Sequence, residues 1–347
     1  MPAPDIPFET QINKLWGHIR GLHVLHLIRT GADLGWFRLL AEAGDRGLTP
    51  EDLAASKGLH LPFVRVWWKT AIAWEVLDPL PDGRARLAPH FDAILAKPGD
   101  PRFLLPYVIA TLDHFQQDLA THTAAMANGA VRTFQEHGHA FAEAIGNTTA
   151  GLHVLMARRL LPEIGEARSA LTDGGTFLDY GCGVGGLVVQ VAKAFPQARC
   201  AGTDVHQDGL EQARRTVSAG GLEDRVTIHD GNEWQGETAS IDVISMVEVL
   251  HEIPEDARAE VLGHCRRLLR KDGRLVILDE TYPDDADLRS PEAALAVQTQ
   301  FNEMTWGNVV PTAGQQATLL EEAGLKIIER STIGGIFTLL IAAPQGE

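Results

Sequence analysis

Four acidic residues arrive where apolar stretches stop: Asp179, Asp204, Asp230 and Glu248. The first lies in Leu178-Asp179-Tyr180-Gly181-Cys182-Gly183-Val184-Gly185-Gly186, an apolar strand running into a glycine-rich turn and then a helix. Gly181, Gly183 and Gly186 satisfy G-x-G-x-x-G, a weak pattern alone, whose glycines permit a tight turn and a close approach of backbone to ligand. Asp179 separates the possible ligands, because a carboxylate beside the turn repels a pyrophosphate but suits an ammonium or sulfonium. Asp204 ends the next strand, Ala198 to Asp204, where a carboxylate can accept from both ribose hydroxyls, as in dinucleotide sites. The third strand, Val226 to His229, delivers Asp230 and then Gly231; this aspartate could accept from an adenine amino group. Met246, at the end of the fourth strand, completes the cofactor-facing set. Taken singly, each aspartate reads as a turn residue or helix cap. In order, they describe a nucleoside pocket for a ligand with positive charge and no phosphate.

His251 is the candidate base. It follows the fourth strand, in Val247-Glu248-Val249-Leu250-His251-Glu252-Ile253-Pro254, and open α/β sheets bind ligands beyond the carboxyl ends of their strands. An unshifted imidazole titrates near ~6.5, which suits a base at neutral pH. Glu280 ends the adjacent fifth strand, where a carboxylate would orient the ring and favour its charged form. Glu303 lies in Gln300 to Asn308, whose Asn302, Met304 and Trp306 read either as acceptor contacts or as a packed helix. His114, Asp118 and His122 recur every four residues on one helix face, a spacing that suits a metal and, more often, a polar stripe. His137 and His139 read as loop residues, and Cys182 as a packing residue.

From about Thr172 onward the chain resembles the class I S-adenosylmethionine-dependent methyltransferases. The glycine motif, Asp204, Asp230, the strand Ile241 to Met246, the helix and turn Leu268 to Gly273 and the strand Arg274 to Asp279 come in that family's order. The resemblance implies S-adenosylmethionine as cofactor and a small-molecule methyl acceptor. In the plant-type and antibiotic O-methyltransferases a His-Asp pair follows the fourth strand and a glutamate ends the fifth; His251 and Glu280 match these, implying His251 as the base. Glu252 replaces the usual aspartate, and the stretch Asn308 to Thr312 lacks the second flanking glutamate, for which Glu303 could compensate. O-methylation is therefore expected, without a metal. The alternatives are C-methylation of a 2-oxo acid, metal-assisted in similar enzymes that ligate through the histidine after the fourth strand, and a regulator that binds the cofactor without catalysis.

Other elements must hold these residues. Residues 1–100 are expected to form a winged-helix domain, 101–170 connecting helices that roof the acceptor pocket, and 171–347 a Rossmann-like α/β domain with a seven-stranded sheet whose last strand is antiparallel. Ile19, Leu22, Leu25 and Ile28 recur at helical spacing in His18 to Leu40, with Gly31 and Gly35 expected to break or bend the helix. Thr49-Pro50-Glu51-Asp52 starts a short helix that stops at Gly58. A second helix from Pro62 and a hairpin around Pro81-Asp82-Gly83 complete the winged-helix order. That second helix carries only Arg65 and Lys69 among Phe63, Trp67, Trp68 and Trp74, which points to core or homodimer interface rather than DNA. The resemblance to O-methyltransferases with such a pairing domain implies the same.

A net charge of −16 argues against nucleic acid and anionic membrane surfaces. No apolar run reaches the ~18 residues of a spanning helix, and Met1 to Thr10 lacks the apolar segment of a signal peptide. Three cysteines without metal spacing fit a reducing cytoplasm.

Overall fold

The computed structural model describes residues 6–346; the Met1–Asp5 part of the leader reading lies outside them. The chain divides into two compact units, Met1–Asp113 and His114–Glu347.

The first unit is mainly helical. Its opening helix, Phe8–Asp33, starts earlier than the apolar spacing suggested. Gly35 ends it with a left-handed φ of 70°, whereas Gly31 stays helical, and a Cβ there would meet Trp67 at 2.8 Å, so only glycine fits. The helices Trp36–Ala43, Pro50–Lys57 and Leu61–Ala73 follow. Thr49 and Asp52 form a capping box that satisfies the first N–H groups of Pro50–Lys57, and Gly58 closes that helix in the left-handed region. Strands β1 (Leu77–Pro79) and β2 (Ala85–Leu87) pair as the expected hairpin. Trp36, Phe37, Leu40, Trp67 and Trp68 fill the core, with Trp36 and Trp67 edge to face at 4.6 Å. Trp67 donates its indole N–H to the Leu27 carbonyl.

The second unit holds the expected seven-stranded sheet: β3 (Thr176–Tyr180), β4 (Arg199–Asp204), β5 (Val226–Asp230), β6 (Ile241–Val247), β7 (Leu269–Asp279), β8 (Leu325–Ile333) and β9 (Phe337–Pro344). The order is β5-β4-β3-β6-β7-β9-β8, and β9 runs antiparallel to both its neighbours. Helices cover both faces, so the central strands carry apolar residues on both sides. Phe177, Val243, Val247, Val276 and Leu278 enter one core; Leu178, Ile244, Met246, Leu275 and Ile277 enter the other. This is the two-residue period of a strand read directly as two hydrophobic layers. The expected turn before the fifth strand does not form. Leu269 to Gly273 already belong to β7, which pairs with β6 through a register shift between Ile241 and Val243.

Parallel strands place all their carboxyl ends on one edge. The chain reversals after β3, β4 and β6 therefore gather Gly181, Asp204 and Glu248 there.

Candidate active site

At that edge lies a cavity of about 480 Å³, within the range of small-molecule sites. All its lining residues belong to the second unit. The glycine turn forms one end. Gly181 has a φ of 76°, and a Cβ there would lie 2.6 Å from Val249, so only glycine fits both the turn and its neighbour. Gly183, Thr203, Asp204, His206 and Gly231 continue this wall. The Asp204 carboxylate accepts from the backbone N–H of Gly183 at 2.8 Å and of His206 at 2.9 Å. Burial raises its pKa against those two hydrogen bonds. The Thr203 hydroxyl is buried with no partner among the described residues.

Asp179 sits behind this wall, 3% exposed, and accepts from the Ser245 hydroxyl at 3.2 Å. Burial pushes its pKa up to about 8, opposed by that hydrogen bond and assisted by the charge of Asp204. Asp230 turns outward, accepting from Gln207 and from the backbone N–H of Asn232, and Met246 lies in the hydrophobic core. Of the cofactor-facing set, Gly181, Gly183, Asp204 and Gly231 line the cavity. The rest stand behind or beside it: alternation along β6 turns Met246 away and points Ser245 and Val247 the other way.

The other end is apolar. Phe134, Ile145, Val249, Ile253 and Trp306 line it, with Glu248, Glu252 and Asn308 among the polar members of the lining. Trp306 is fixed from behind by Asp118, which accepts its indole N–H at 3.1 Å and lies 3.1 Å from the His137 ring. His137 lies in the expected loop, buried and stacked on Phe141 at 4.1 Å, whereas His139 opens the helix His139–Thr148. Asp118 thus anchors aromatic rings, while His122 packs on Phe301 and His114 on Phe141. Asn302 and Met304 do not line the cavity; Trp306, from the same segment, does.

His251, Glu280 and Glu303 are brought together below the apolar end, all three buried. The residue nearest the imidazole was not singled out from the sequence. Asp279, 1% exposed, places Oδ1 at 2.5 Å from His251 Nδ1 and accepts the His251 backbone N–H at 3.2 Å. Glu280 Oε2 is farther, at 3.5 Å from the same nitrogen, and its other oxygen accepts from Thr299 at 2.8 Å. The signal was two consecutive acids closing a buried strand, of which the family match favoured the second. Glu303 is held by Asn308, whose amide donates to it at 2.6 Å. The stretch that lacks the expected glutamate thus positions another one. Arg258 donates to the His251 carbonyl at 3.1 Å and to the Val309 carbonyl, tying the loop to this segment.

Burial alone would lower the His251 pKa, but the charge and hydrogen bond of Asp279, then Glu280 and Glu303, outweigh it and hold it well above the usual range. Burial raises Glu303 to about 7, against the pull of His251. Burial also raises Asp279, yet His251 and two backbone N–H groups bring it below its usual value. Two groups bring ligating atoms within 4.8 Å of one another: His251 with Asp279 and Glu280, and His251 with Glu252 and Glu303. Among the described residues, no helix is long and apolar enough to cross a membrane. The three cysteines are free and buried.

Residues 177–273 match the family model of a methyltransferase domain. The chain is 30% identical over 159 residues to the aclacinomycin 10-hydroxylase RdmB of Streptomyces purpurascens, covering 45% of this chain and 41% of that protein. It is 31% identical over 189 residues to the O-methyltransferase rstn1 of Aspergillus nomiae, covering 50% of this chain and 74% of that one. The chain spans about half the length of the first curated relatives it matches. In fold it matches the mitomycin 7-O-methyltransferase MmcR with a TM-score of 0.70 at 20% identity, over 97% of both chains. With the glycine turn, the strand-end acids and the inserted antiparallel strand in place, the chain belongs to the class I S-adenosylmethionine-dependent methyltransferase family.

Proposed function

We propose that this chain methylates a hydroxyl group on an aromatic or polyketide-like small molecule, using S-adenosylmethionine. The observation that carries this reading is one cavity with a glycine-and-carboxylate end, an apolar aromatic end and no lysine or arginine in its lining. The lining fits the cofactor: glycine backbone at Gly181 and Gly183 admits close approach, the unpartnered Thr203 hydroxyl awaits a polar group, and the absent cations disfavour a phosphate. Asp204 would take the ribose hydroxyls, Gly231 the adenine side with Asp230 beside it, and Asp179 would support the glycine turn from behind, with Met246 packed under the floor. When bound, S-adenosylmethionine supplies an electrophilic methyl group on a good leaving group. The chain then has to hold the acceptor in line and receive its proton. Phe134 and Trp306 would clamp a planar acceptor. His251, with Asp279 and flanked by Glu280 and Glu303, forms the proton-accepting centre.

The exposed apolar face of Phe8–Asp33 supports pairing of two subunits. Phe8 is 73%, Leu15 62% and Trp16 58% exposed, a patch that a lone soluble chain rarely leaves to water. Residues 1–100 would then serve pairing, 101–170 the roof of the acceptor pocket and 171–347 the transfer itself, in a cytoplasmic enzyme. The acidic charge of −16 remains the argument against a nucleic-acid substrate.

The test is methyl transfer from isotopically labelled S-adenosylmethionine to a panel of phenols, naphthols and hydroxylated quinones beside a set of 2-oxo acids, with product identification. O-methylated products are expected. Label found only on the carbon of a 2-oxo acid would replace the hydroxyl reading, and no transfer despite tight S-adenosylhomocysteine binding would favour the sensor.

A further inference from the structure

We propose that the methyl acceptor carries a protonated basic nitrogen beside its hydroxylated ring, and that the Glu252 carboxylate receives this nitrogen at the acceptor end of the cavity. This rests on the methyl-transfer reading above, keeps His251 as the base and names the class of acceptor.

The argument is one of unbalanced charge. Glu248, Glu252, Asp279, Glu280 and Glu303 crowd around the single imidazole of His251. Asp279 takes that imidazole at 2.5 Å, which leaves the other four carboxyl groups without a countercharge of their own. Arg258 stands behind the loop but directs its N–H groups to the carbonyls of His251, Ile253 and Val309. Glu280 is 2% exposed and lies beside Glu248. Each of these two keeps a carboxyl oxygen sealed from solvent and without a hydrogen-bond partner among the described residues. Glu303 is held by the Asn308 amide. Glu252 lines the cavity, and its carboxyl makes neither a hydrogen bond nor an ion pair among the described residues. Acids packed in this way need a cation or a proton. No lysine or arginine in the lining supplies the cation, so a ligand has to bring it. The sulfonium of the cofactor is a single charge, and transfer extinguishes it, so it does not balance the set.

The surroundings suit such a group. Phe134 and Trp306 line the same end, and aromatic faces attract a cation as well as a planar ring. The Glu252 carboxyl, a ring nitrogen of His251 and a carboxyl oxygen of Glu303 lie within 4.8 Å of one another, so an ammonium at Glu252 stands in the field of the other two. Burial raises the Glu252 pKa, as does the charge of Glu303, with smaller increments from Asp204 and Asp279, while His251 pulls it down. A docking ammonium favours the ionised carboxyl, and the proton that Glu252 gives up passes to solvent. The same charge serves the base. His251 accepts a proton only in its uncharged form, and the acids around it hold its pKa well above the usual range. A second cation in that field lowers it toward working pH. An acceptor that carries the nitrogen therefore readies the imidazole that a neutral one leaves charged. A hydroxylated ring bearing an ammonium is thus selected over its neutral and anionic counterparts.

The test is binding to the S-adenosylhomocysteine complex of the protein, which carries no sulfonium. Three phenols of similar shape differ at the end of the side arm: tyramine ends in an ammonium, para-propylphenol in a methyl group and para-hydroxyphenylpropionate in a carboxylate. By calorimetry, tyramine should bind about tenfold or more tightly than para-propylphenol, because a charge-assisted hydrogen bond is gained, and the propionate should bind weakest. Titration in buffers of different ionisation enthalpy should show proton release with tyramine and none with para-propylphenol. Glu252→Gln should remove most of the preference and leave the affinity for para-propylphenol as it was, while Glu252→Asp should keep part of it. Retained S-adenosylhomocysteine affinity reports that each variant is folded; if one is not, the three phenols on the wild-type complex still decide the preference for charge. Equal binding of tyramine and para-propylphenol, or a preference that survives in a folded Glu252→Gln, overturns the assignment. Binding of none of the three phenols overturns the phenolic reading beneath it instead, an outcome recognisable because it does not depend on the charge of the arm.

Discussion

Replacing Asp279 by Asn keeps the shape of the side chain and one acceptor for His251 but removes the charge. Two unit charges at the observed 2.5 Å attract by about 7 kcal/mol at an effective dielectric of about 20, before desolvation is counted. Both side chains are nearly sealed, at 4% and 1% exposed, and breaking such a pair costs about 3–5 kcal/mol. Taking the lower figure, because Glu280 and Glu303 keep part of the field and their mutual repulsion relaxes, the imidazole pKa should fall by about two units. Proton exchange at His251, followed by NMR of its ring carbon, measures that fall directly. The stability window follows from the signs. His251 is raised above its usual 6.5, so its contribution is complete below that value and fades as pH rises through the folded pKa. Asp279 is lowered below its usual 3.8, so its contribution is complete above that value and fades as pH falls through the folded pKa. The loss in Asp279→Asn should therefore be greatest between about pH 4 and 6.5, at about 3 kcal/mol by denaturant unfolding, and shrink at alkaline pH. If His251 titrates at the same pH in both proteins, or the stability difference is flat across this window, Asp279 is not the partner that charges the ring.

Asp204→Ala should weaken S-adenosylhomocysteine binding about tenfold or more, because two or more hydrogen bonds to a charged group are lost; calorimetry checks this, and unchanged affinity would move the ribose elsewhere. Asp118→Asn removes the charge that holds both the Trp306 indole and His137. It should raise KM for the acceptor more than it lowers kcat, so a pure kcat effect in steady-state kinetics would count against an anchoring role. Trp16→Glu should shift the protein to monomer in sedimentation, and an unaltered mass would place the pairing surface away from Phe8–Asp33. Elemental analysis is expected to find no metal in wild type. Stoichiometric iron or zinc that disappears in His251→Ala would instead support metal-assisted C-methylation, with Glu303 as a ligand.

Much of the site was legible because it is local in the chain. The glycine turn, Asp204 and the position of His251 each depend on one strand meeting one reversal, and a parallel sheet puts all such reversals on one edge. The capping box at Thr49 is local in the same way. What was not legible depends on contacts between segments far apart. Asp279 rather than Glu280 meets the imidazole because of the rotation of β7 at its last residues, which pairing with β6 and β9 decides. Gly31 is a glycine inside a helix because Trp67 fills the space a Cβ would take. His137 is buried because Asp118 and Phe141 receive it, and Asn308 is useful because it holds Glu303.

The sequence by itself determined the order of the strands' chemistry: which residues could cradle a positively charged nucleoside, which histidine could serve it, and that an α/β sheet would carry them. Only the tertiary structure decided which of five buried or half-buried carboxyl groups, Glu248, Glu252, Asp279, Glu280 and Glu303, pairs most closely with His251 and which two, Glu248 and Glu252, reach the cavity. The reason is physical. Residue type and strand position specify a charge and an edge, but the pKa and reach of each group depend on burial and on neighbours supplied by β6, β7 and the helix Ala294–Glu303, which meet only in the folded chain.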